Sequence, residues 1–454
     1  MAMLNLETLE RLIKAGEIDT VVTAFPDLFG RLVGKRITGH YFWSEVLKGG
    51  MHACDYLFAC DVDMDPVQGY EFTSWQTGYG DIHAVPDLAT LRRLPWLEKT
   101  AFVLCDVYRG EHESVEVAPR TILKRQIERA RAKGLLAMGG SELEFYAFKD
   151  SFESARDKNF HDLQPYGWYI EDYHLLQGSK EEWFVRAIRN GMDGAGVPVE
   201  FSKGEWGPGQ HEINLHYAEF GEMADRHVLY KHGVKEIAAL NHMAITFMAK
   251  WSEKHAGSSY HLHSSLWDLD GKKSQFDDPK GPQGMSRIFR HWLAGQMAHA
   301  AELSLFYAPF VNSYKRYQAG SFAPTRVAWS LDNRTVGFRV VGHGPSLRVE
   351  NRIPGADANP YLAYAATLAS GPDGIDKALE PPEMFRGDAY HTTSLPTVPS
   401  SLGEAIEALE GSTFARQAFG DQVIEHYLHA ARTELKKFYS VVTCWERERH
   451  LERT

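Results

Sequence analysis

The sequence lacks the features that mark several large classes of protein. It has only four cysteines in 454 residues, none of them in a CxxC pair: Cys54, Cys60, Cys105 and Cys444. A chain of this length does not need disulfides, so we expect free thiols in a reducing compartment, the cytoplasm. No run approaches about 18 apolar residues, which argues against a transmembrane helix and a membrane partner. The amino-terminal residues also lack the basic start, apolar stretch and cleavage site of a secretory signal.

Positive charge is scarce relative to negative charge. Lys and Arg number 49 against 60 Asp and Glu, for a formal net charge of −11. A protein that binds nucleic acid needs a basic surface, so the composition argues against a nucleic-acid partner. With 44% hydrophobic and 24% charged residues, the chain otherwise has an ordinary globular composition. Its length suits roughly two to three domains.

The distribution of glycine and proline divides the chain near residue 115. Residues 1–20 read as an amphipathic helix, and residues 21–112 alternate apolar runs with Gly and Pro, which predicts a small strand-rich domain. Pro119 then comes just before RTILKRQIERARAKG, and proline suits the first turn of a helix. We therefore predict two domains, residues 1–115 and residues 116–454.

The second part mixes strands and long helices without strict βαβ alternation, which predicts an α+β catalytic unit. Apolar runs and alternation predict strands at Ser141–Phe148, His211–His216, Tyr260–Trp267, Val327–Trp329 and Leu347–Ile353. Helical periodicity predicts helices at Ala224–Lys250, Ser286–Phe306 and Ala415–Phe438.

Acidic side chains recur in pairs in two of five short motifs. Glu142 and Glu144 are two residues apart in SELEFY, so they share one face of the predicted strand. Glu205 and Glu212 flank the Gly-Pro-Gly turn of EWGPGQHE. Like charges on a half-buried face need cations or solvent nearby. Taken alone, the first motif is equally an ordinary solvated strand face, and the second is more often an ordinary hairpin with surface acids.

Histidines share a strand face in the third motif, GSSYHLHSSLW. His261 and His263 are two residues apart, an arrangement that suits a divalent cation or a phosphate. Two buried histidines with ordinary hydrogen-bond partners in the core would give the same pattern.

Arginines dominate the last two motifs. Arg316 lies in NSYKRYQAGSFAPT, and Arg334 and Arg339 follow in DNRTVGFR. Guanidinium groups match carboxylate and phosphate oxygens, although surface arginines are the plain alternative. Arg334 and Arg339 are five residues apart and would lie on opposite faces of one strand, so a common target requires a bend. In RVENR, Glu350 and Arg352 share one face of the predicted strand. They would form one wall of a cleft, or they would form a cross-strand ion pair.

In this order and spacing, the motifs resemble the glutamine synthetase superfamily, in its bacterial type-I-like branch. The segments that carry the resemblance are GSELEFY, EWGPGQHEINL, GSSYHLHSSLWD, NSYKRYQAGSFAPT, DNRTVGFRV and RVENRIPGADANPYLA. It covers most of the chain and is weakest in the first 115 residues and around 380–410. It implies a β-grasp-like amino-terminal domain and a large catalytic domain with an antiparallel sheet flanked by helices.

The resemblance implies two or three divalent cations per site, Mg²⁺ or Mn²⁺. It assigns one cation to Glu142, His261 and Glu350, and another to Glu144, Glu205 and Glu212. Carboxylate oxygens with one imidazole are sensible ligands for these hard cations. Without cations, repulsion in such a cleft would keep several of these Glu residues protonated.

The resemblance also implies ATP and glutamate as substrates. It places the nucleotide at His263 and Ser265, with Arg334 and Arg339 on the transferring phosphate. It places glutamate at Gly257, His261, Arg316 and Arg352, with Phe322 in the loop that covers the substrate site. Arg334, Arg339 and Glu350 are the implied catalytic residues. The implied reaction phosphorylates the γ-carboxylate of glutamate, and an amine then displaces the phosphate.

Two departures from the ammonia-using relatives predict an organic amine as the acceptor. Phe322, in GSFAP, stands where those relatives carry a Glu that binds ammonium and takes its proton. An uncharged ring does neither, although it covers apolar surface or offers its face to a larger cation. The DGSS motif of those relatives is also missing, and the corresponding stretch holds Glu71, Trp75 and Asp81. The sequence resembles the γ-glutamylamide synthetase branch.

Two other interpretations stay open: a glutamine synthetase that uses ammonia, and a non-catalytic oligomer of the same fold. The resemblance implies a homo-oligomer, a dodecamer of two hexameric rings with active sites between subunits. The Asn-Leu-Tyr loop that is adenylylated in some relatives is missing around residues 378–400. Tyr390 lies there in a different context, so we expect no such control.

Overall fold

The computed structural model describes residues 3–110 and 112–454. The first helix, α1 (Leu6–Lys14), begins at Asn5, whose side chain accepts a hydrogen bond from the Thr8 amide at 2.8 Å. Leu9 and Leu12 are buried on one side of this helix, which confirms the predicted amphipathic segment.

Seven strands form a sheet in the amino-terminal part. They are β1 (Thr20–Pro26), β2 (Leu32–Thr38), β3 (Met51–Cys54), β4 (Asp81–Pro86), β5 (Arg92–Arg93), β6 (Thr100–Arg109) and β7 (Glu113–Ser114). The order is β2-β1-β6-β4-β3, with β5 and β7 also on β6. The pair β1–β6 is parallel, and the other pairs are antiparallel. The apolar run at the start of β6 suits its central place, because such a strand is buried on both faces.

Nine further strands form a second sheet. They are β8 (Leu136–Phe148), β9 (Val199–Gly204), β10 (Gln210–Leu215), β11 (Ala218–Glu219), β12 (Ala244–Thr246), β13 (Tyr260–Trp267), β14 (Trp329–Leu331), β15 (Phe338–Val341) and β16 (Arg348–Asn351). The order is β14-β15-β16-β13-β8-β10-β9, with β11 and β12 on β8. Its pairs are antiparallel except β14–β15, which is parallel, so the expected antiparallel sheet is wrong at that edge.

The helices after α1 are α2 (Gly39–Tyr41), α3 (Leu47–Gly49), α4 (Pro119–Ala132), α5 (Phe152–Asp157), α6 (Leu175–Ser179), α7 (Glu182–Gly194), α8 (Phe220–Leu240), α9 (Arg287–Ala298), α10 (Ser304–Tyr307), α11 (Val311–Tyr314), α12 (Pro360–Asp376), α13 (Leu402–Glu410), α14 (Thr413–Phe419), α15 (Asp421–Ser440) and α16 (Cys444–His450). The almost wholly buried α12 packs against α9, α4 and α8. The predicted α+β class is confirmed. No helix in the described part of the chain is long and apolar enough to cross a membrane.

The long predicted helices differ from the observed ones at their ends. The helix expected at Ala224–Lys250 begins at Phe220 and ends at Leu240, because the apolar residues beyond it pair with β8 as β12. The helix expected at Ser286–Phe306 is divided into α9 and α10. The helix expected at Ala415–Phe438 is divided into α14 and α15 at Gly420. The φ of Gly420 is 88°, a conformation that suits glycine and ends a helix.

Strand β13 has the predicted bounds, whereas other strands shift by a few residues. Strand β8 begins at Leu136 rather than Ser141, because Gly139 and Gly140 also pair with β13. Strand β14 begins at Trp329, where the predicted strand ended. The four cysteines are free, as predicted.

Candidate active site

One face of the large sheet gathers the acidic and histidine side chains of the motifs. Alternation along β8 points Glu142 and Glu144 into the same cavity. The register of the neighbouring strands sets Glu212 of β10 opposite Glu144, and His261 of β13 opposite Glu142. Glu205 follows β9 directly and reaches the same cavity. The sheet therefore brings together residues that are far apart in the sequence.

Glu144, Glu205 and Glu212 form the first candidate metal site. One carboxylate oxygen of each lies within 4.8 Å of the others, and Glu144 and Glu212 are buried. Burial and the neighbouring Glu205 raise the pKa of Glu144 to about 8. Burial, with Glu142 and Glu205 nearby, raises the pKa of Glu212 well above its usual value. Crowded carboxylates of this kind are the donors that a hard divalent cation takes.

Glu142 is the centre of the second acidic cluster. One carboxylate oxygen lies 2.8 Å from Nε2 of His263, and the other lies 3.2 Å from Nδ1 of His261. Burial alone would raise the pKa of Glu142, but the two histidines hold it well below the usual value. The atoms fit an ion either with His263 and Glu350 or with His261 and Glu212. The three ligands assigned by resemblance, Glu142, His261 and Glu350, lie close together, but the structure groups Glu142 and Glu350 with His263 and groups His261 with Glu142 and Glu212.

Glu350 is fully buried between two arginines. Nη1 of Arg352 donates to its carboxylate at 2.5 Å, and Nη1 of Arg339 donates at 2.9 Å. Burial would raise the pKa of Glu350, but Arg352 and the histidines lower it to about 2. Arg334 lies in the turn before β15, which carries Arg339, and both line the cavity. The bend that a common target requires is therefore this turn.

Two adjoining cavities occupy this face of the sheet. The first, of about 400 Å³, is lined by the acidic clusters together with Gly257, Phe322, Arg334, Arg339 and Arg352. The second, of about 440 Å³, is lined by His263, Ser265, Trp267 and Arg348. Glu142 and Asn214 line both, so the cavities meet there. The residues assigned by resemblance to the nucleotide and to glutamate thus fall mainly on different sides of this boundary.

Arg316 differs from the sequence-based expectation in its exposure. Its side chain is buried and does not line the cavity, and Nη1 donates to Oγ of Ser259 at 3.0 Å. Nη2 donates to the carbonyls of Arg352 and Ile353. A Cβ at Gly257 would lie 2.5 Å from Cγ of Arg316, so only glycine lets this arginine pass behind the cavity wall. In this structure, Arg316 therefore supports the wall from behind.

Phe322 lies on the cavity with its backbone in the left-handed region, at φ 60°. A bulky residue rarely adopts this conformation, and such outliers cluster at functional sites. Its carbonyl accepts a hydrogen bond from Nη2 of Arg352 at 3.2 Å. Its ring packs against Trp206, with centroids 5.6 Å apart and planes at 62°.

The sequence motifs did not indicate a role for several residues of the site, among them Lys203, Trp206 and Arg348. Lys203 forms ion pairs with Glu205 and with Asp172, the second at 3.8 Å. Nε of Arg348 donates to Nδ1 of His263 at 3.1 Å. Lys203 lies two residues before Glu205 and Trp206 directly follows it. This closeness in the sequence to an assigned residue was the signal that could have indicated them. Arg348 lay inside a quoted motif but received no role.

The remaining candidate positions do not line these cavities. Glu71, Trp75 and Asp81 belong to the amino-terminal part and line neither cavity, and Trp75 is 71% exposed. Tyr390 lines neither cavity, but its side chain lies near Phe322, Arg352 and Arg316.

A family model described as "Glutamine synthetase, catalytic domain" matches residues 116–450. The chain belongs to the glutamine synthetase family. Among curated relatives, gamma-glutamylethanolamide synthetase from Streptomyces coelicolor is 51% identical over 450 residues, which cover 99% of this chain and 96% of the relative. Glutamate–isopropylamine ligase from Pseudomonas sp. is 39% identical over 443 residues, which cover 97% of this chain and 96% of the relative.

Solved structures agree with this family assignment. The structure described as "Apo GmaS without ligand" superposes with a TM-score of 0.85 at 28% identity, covering 99% of this chain and all of the other. The resemblance stated from the motifs, including its γ-glutamylamide branch, is confirmed by these matches. The predicted enzyme class, an ATP-dependent glutamate–amine ligase, is confirmed with it.

Proposed function

We propose that this chain joins the γ-carboxylate of glutamate to an organic amine at the expense of ATP. The observation that carries the choice of acceptor is Phe322, whose ring, and not a carboxylate, lines the cavity beside the acidic clusters. An uncharged ring binds no ammonium through a charge-assisted hydrogen bond and accepts no proton. The two relatives described above are named for organic amines, which supports the same choice.

The reaction proceeds in two steps. An oxygen of the γ-carboxylate attacks the γ-phosphorus of ATP, the bond to the ADP oxygen breaks, and γ-glutamyl phosphate forms. The amine nitrogen then attacks the acyl carbon, phosphate leaves, and the nitrogen loses a proton to give the amide. Arg334 and Arg339 bind the transferring phosphate through their guanidinium groups, and Arg352 binds a carboxylate of glutamate. His263 and Ser265 contact the nucleotide in the adjoining cavity.

The donor set fits divalent cations, as the family uses them. Glu144, Glu205 and Glu212 form one site, and Glu142, Glu350 and a histidine form the other. Burial and neighbouring carboxylates raise the pKa of Glu144 and Glu212, so a bound cation would stabilise their ionised forms. Bound Mg²⁺ or Mn²⁺ would neutralise phosphate oxygens during transfer. Oxygen-rich ligation favours these ions over softer metals.

The organisation of the chain supports three further proposals. A domain boundary near residue 115 fits the end of the first sheet at Ser114 and the start of α4 at Pro119. A dodecamer of two hexameric rings, with an active site completed by a neighbour, follows from family resemblance. Free cysteines, among them the exposed Cys444, suit a cytoplasmic enzyme.

A phosphate-release assay with ATP, glutamate and a panel of amines tests this function. The panel holds ammonia, methylamine, isopropylamine, ethanolamine, putrescine, spermine and aniline. We expect phosphate release that requires glutamate and is faster with an organic amine than with ammonia. Equal efficiency with ammonia would indicate glutamine synthetase instead. No release with any amine, from a folded enzyme supplied with Mg²⁺ or Mn²⁺, would contradict the function itself.

A further inference from the structure

The ring of Trp206 forms an apolar wall in the first cavity together with Phe322. Both side chains are about half exposed, at 47% and 46%, although they belong to one edge-on ring pair. Trp206 directly follows Glu205, and its amide donates to that carboxylate at 3.3 Å. Phe322 is attached to Arg352 through its carbonyl. The wall is thus anchored on both sides to residues of the site while its ring faces stay open.

Every carboxylate that lines this cavity already has a cation or belongs to a candidate metal site. Glu350 contacts two arginines, and Glu142 contacts two histidines. Glu205 and Asp172 share the ammonium of Lys203. The other two, Glu144 and Glu212, belong to the three-carboxylate site. Among the described residues, none is left for a second positive charge on a substrate.

Four cationic side chains line the same cavity: Lys203, Arg334, Arg339 and Arg352. The Lys203 ammonium also lies 4.5 Å from the centroid of the Tyr173 ring, so that ring already has its cation. The open faces of Phe322 and Trp206 are the alternative binding places for a substrate ammonium. Phe322 lies beside Arg352, and both rings share the cavity with the four cationic side chains, whose positive charge opposes a second ammonium there.

We propose that the acceptor is a short primary monoamine with an uncharged substituent, and that Trp206 is the residue that limits the length of this substituent. The inference rests on the proposed function and names the substrate class of the same site. Trp206 covers the apolar part of the amine, and Phe322 forms the other side of the wall. A terminal methyl or hydroxyl group fits this environment, whereas a terminal ammonium does not.

The first test needs no variant. n-Butylamine, 3-amino-1-propanol and 1,3-diaminopropane have nearly the same length and end in a methyl, a hydroxyl and an ammonium group. We expect kcat/KM for the diamine to be lower than for either of the other two by about tenfold or more, as for a pocket that leaves a polar group unpaired. A diamine used as well as the monoamines would overturn the proposed class and favour binding of the ammonium on Phe322.

The second test addresses Trp206 itself. Trp206→Ala should lower kcat/KM for n-butylamine by about tenfold, and should raise the efficiency for n-octylamine relative to n-butylamine by a similar factor. KM for ATP and for glutamate should change by less than about twofold. Trp206→Phe, which keeps a ring, should restore most of the preference. Trp183→Ala is the matched control, because Trp183 is 46% exposed and lines neither cavity.

The outcomes separate this inference from the proposed function. An enzyme that releases phosphate with amines, but whose octylamine to butylamine ratio in Trp206→Ala equals that of the wild type, would overturn the role of Trp206 alone. An enzyme that responds to no amine would overturn the proposed function. If Trp206→Ala does not fold, Trp206→Leu takes its place, because leucine also removes the ring and should raise the octylamine to butylamine ratio in the same direction.

Discussion

Replacing Glu350 tests the link between stability and catalysis at the centre of the site. Its carboxylate is fully buried and contacts Arg352 at 2.5 Å and Arg339 at 2.9 Å. Arg339 is also bound by Asp332, so Glu350→Ala leaves chiefly Arg352 without its carboxylate. Breaking a buried ion pair by removing one partner costs about 3–5 kcal/mol, because the remaining charge stays desolvated. We expect Glu350→Ala to lower the free energy of unfolding by about that amount.

Glu350→Gln separates the charge from the shape. The amide keeps a carbonyl that accepts one hydrogen bond from Arg352, so the loss of stability should be smaller, about 1–3 kcal/mol. Turnover should fall to background in both variants, since neither retains the carboxylate that we assign to a metal ion. Both should keep the oligomeric state of the wild type, whatever its size, because Glu350 is buried within the chain.

Urea unfolding at one fixed protomer concentration measures the stability, because association also shifts the midpoint. Glutamate-dependent phosphate release measures turnover, and analytical ultracentrifugation measures assembly. Two results would refute the reasoning: a Glu350→Gln enzyme with near wild-type turnover, or a Glu350→Ala enzyme as stable as the wild type. Loss of the oligomer with full activity in the remaining protein would also contradict the assigned role.

Three further predictions concern the acceptor and the core. Phe322→Glu should raise kcat/KM for ammonia relative to n-butylamine by about tenfold or more, measured by phosphate release, because a carboxylate again accepts the proton; an unchanged ratio would contradict the role of the ring. Arg120→Met should lower the free energy of unfolding by about 3–5 kcal/mol, since it leaves the buried Asp225 without the guanidinium that binds it at 2.8 Å; urea midpoints that match the wild type would refute this. Burial lowers the pKa of Lys231 to about 7. Between about pH 7 and 10 the lysine therefore holds its proton in the unfolded chain but not in the folded one. The free energy of unfolding of the wild type should rise over this range by up to about 1.4 kcal/mol per pH unit. Lys231→Met should remove this contribution, and parallel stability curves for the two proteins would show that Lys231 is not the cause.

The sequence was sufficient where local rules decide the structure. Alternation predicts that Glu142 and Glu144 share a strand face, and both line the same cavity. The apolar run and its Gly and Ser flanks predict β13 at its observed bounds, with His261 and His263 on it. The helices were less predictable. Apolar periodicity continues past Leu240, and pairing with β8 decides that these residues form a strand.

Tertiary placement decides the positions that the sequence could not give. Arg316 has the residue type and motif of a substrate-binding arginine, yet the closeness of Gly257 lets it pass behind the wall, where backbone carbonyls bind it. Lys203 is a charged residue on a strand, typically a solvent-facing one, until β9 places it beside Glu205. The contact of Trp206 with Phe322 joins segments more than a hundred residues apart, so no local pattern indicates it.

The way Phe322 is attached explains how the acceptor can differ while the candidate metal site stays the same. Arg352 binds the carbonyl of Phe322, not its side chain, and Arg352 is bound in turn by Glu350. The loop is therefore tied to the acidic cluster through the backbone, which any residue supplies. The side chain itself contacts the Trp206 ring and is about half exposed. A change between a ring and a carboxylate at residue 322 thus alters what the cavity offers an amine without breaking the Glu350–Arg352 pair, so Phe322→Glu should change the free energy of unfolding by no more than about 0.5–1 kcal/mol.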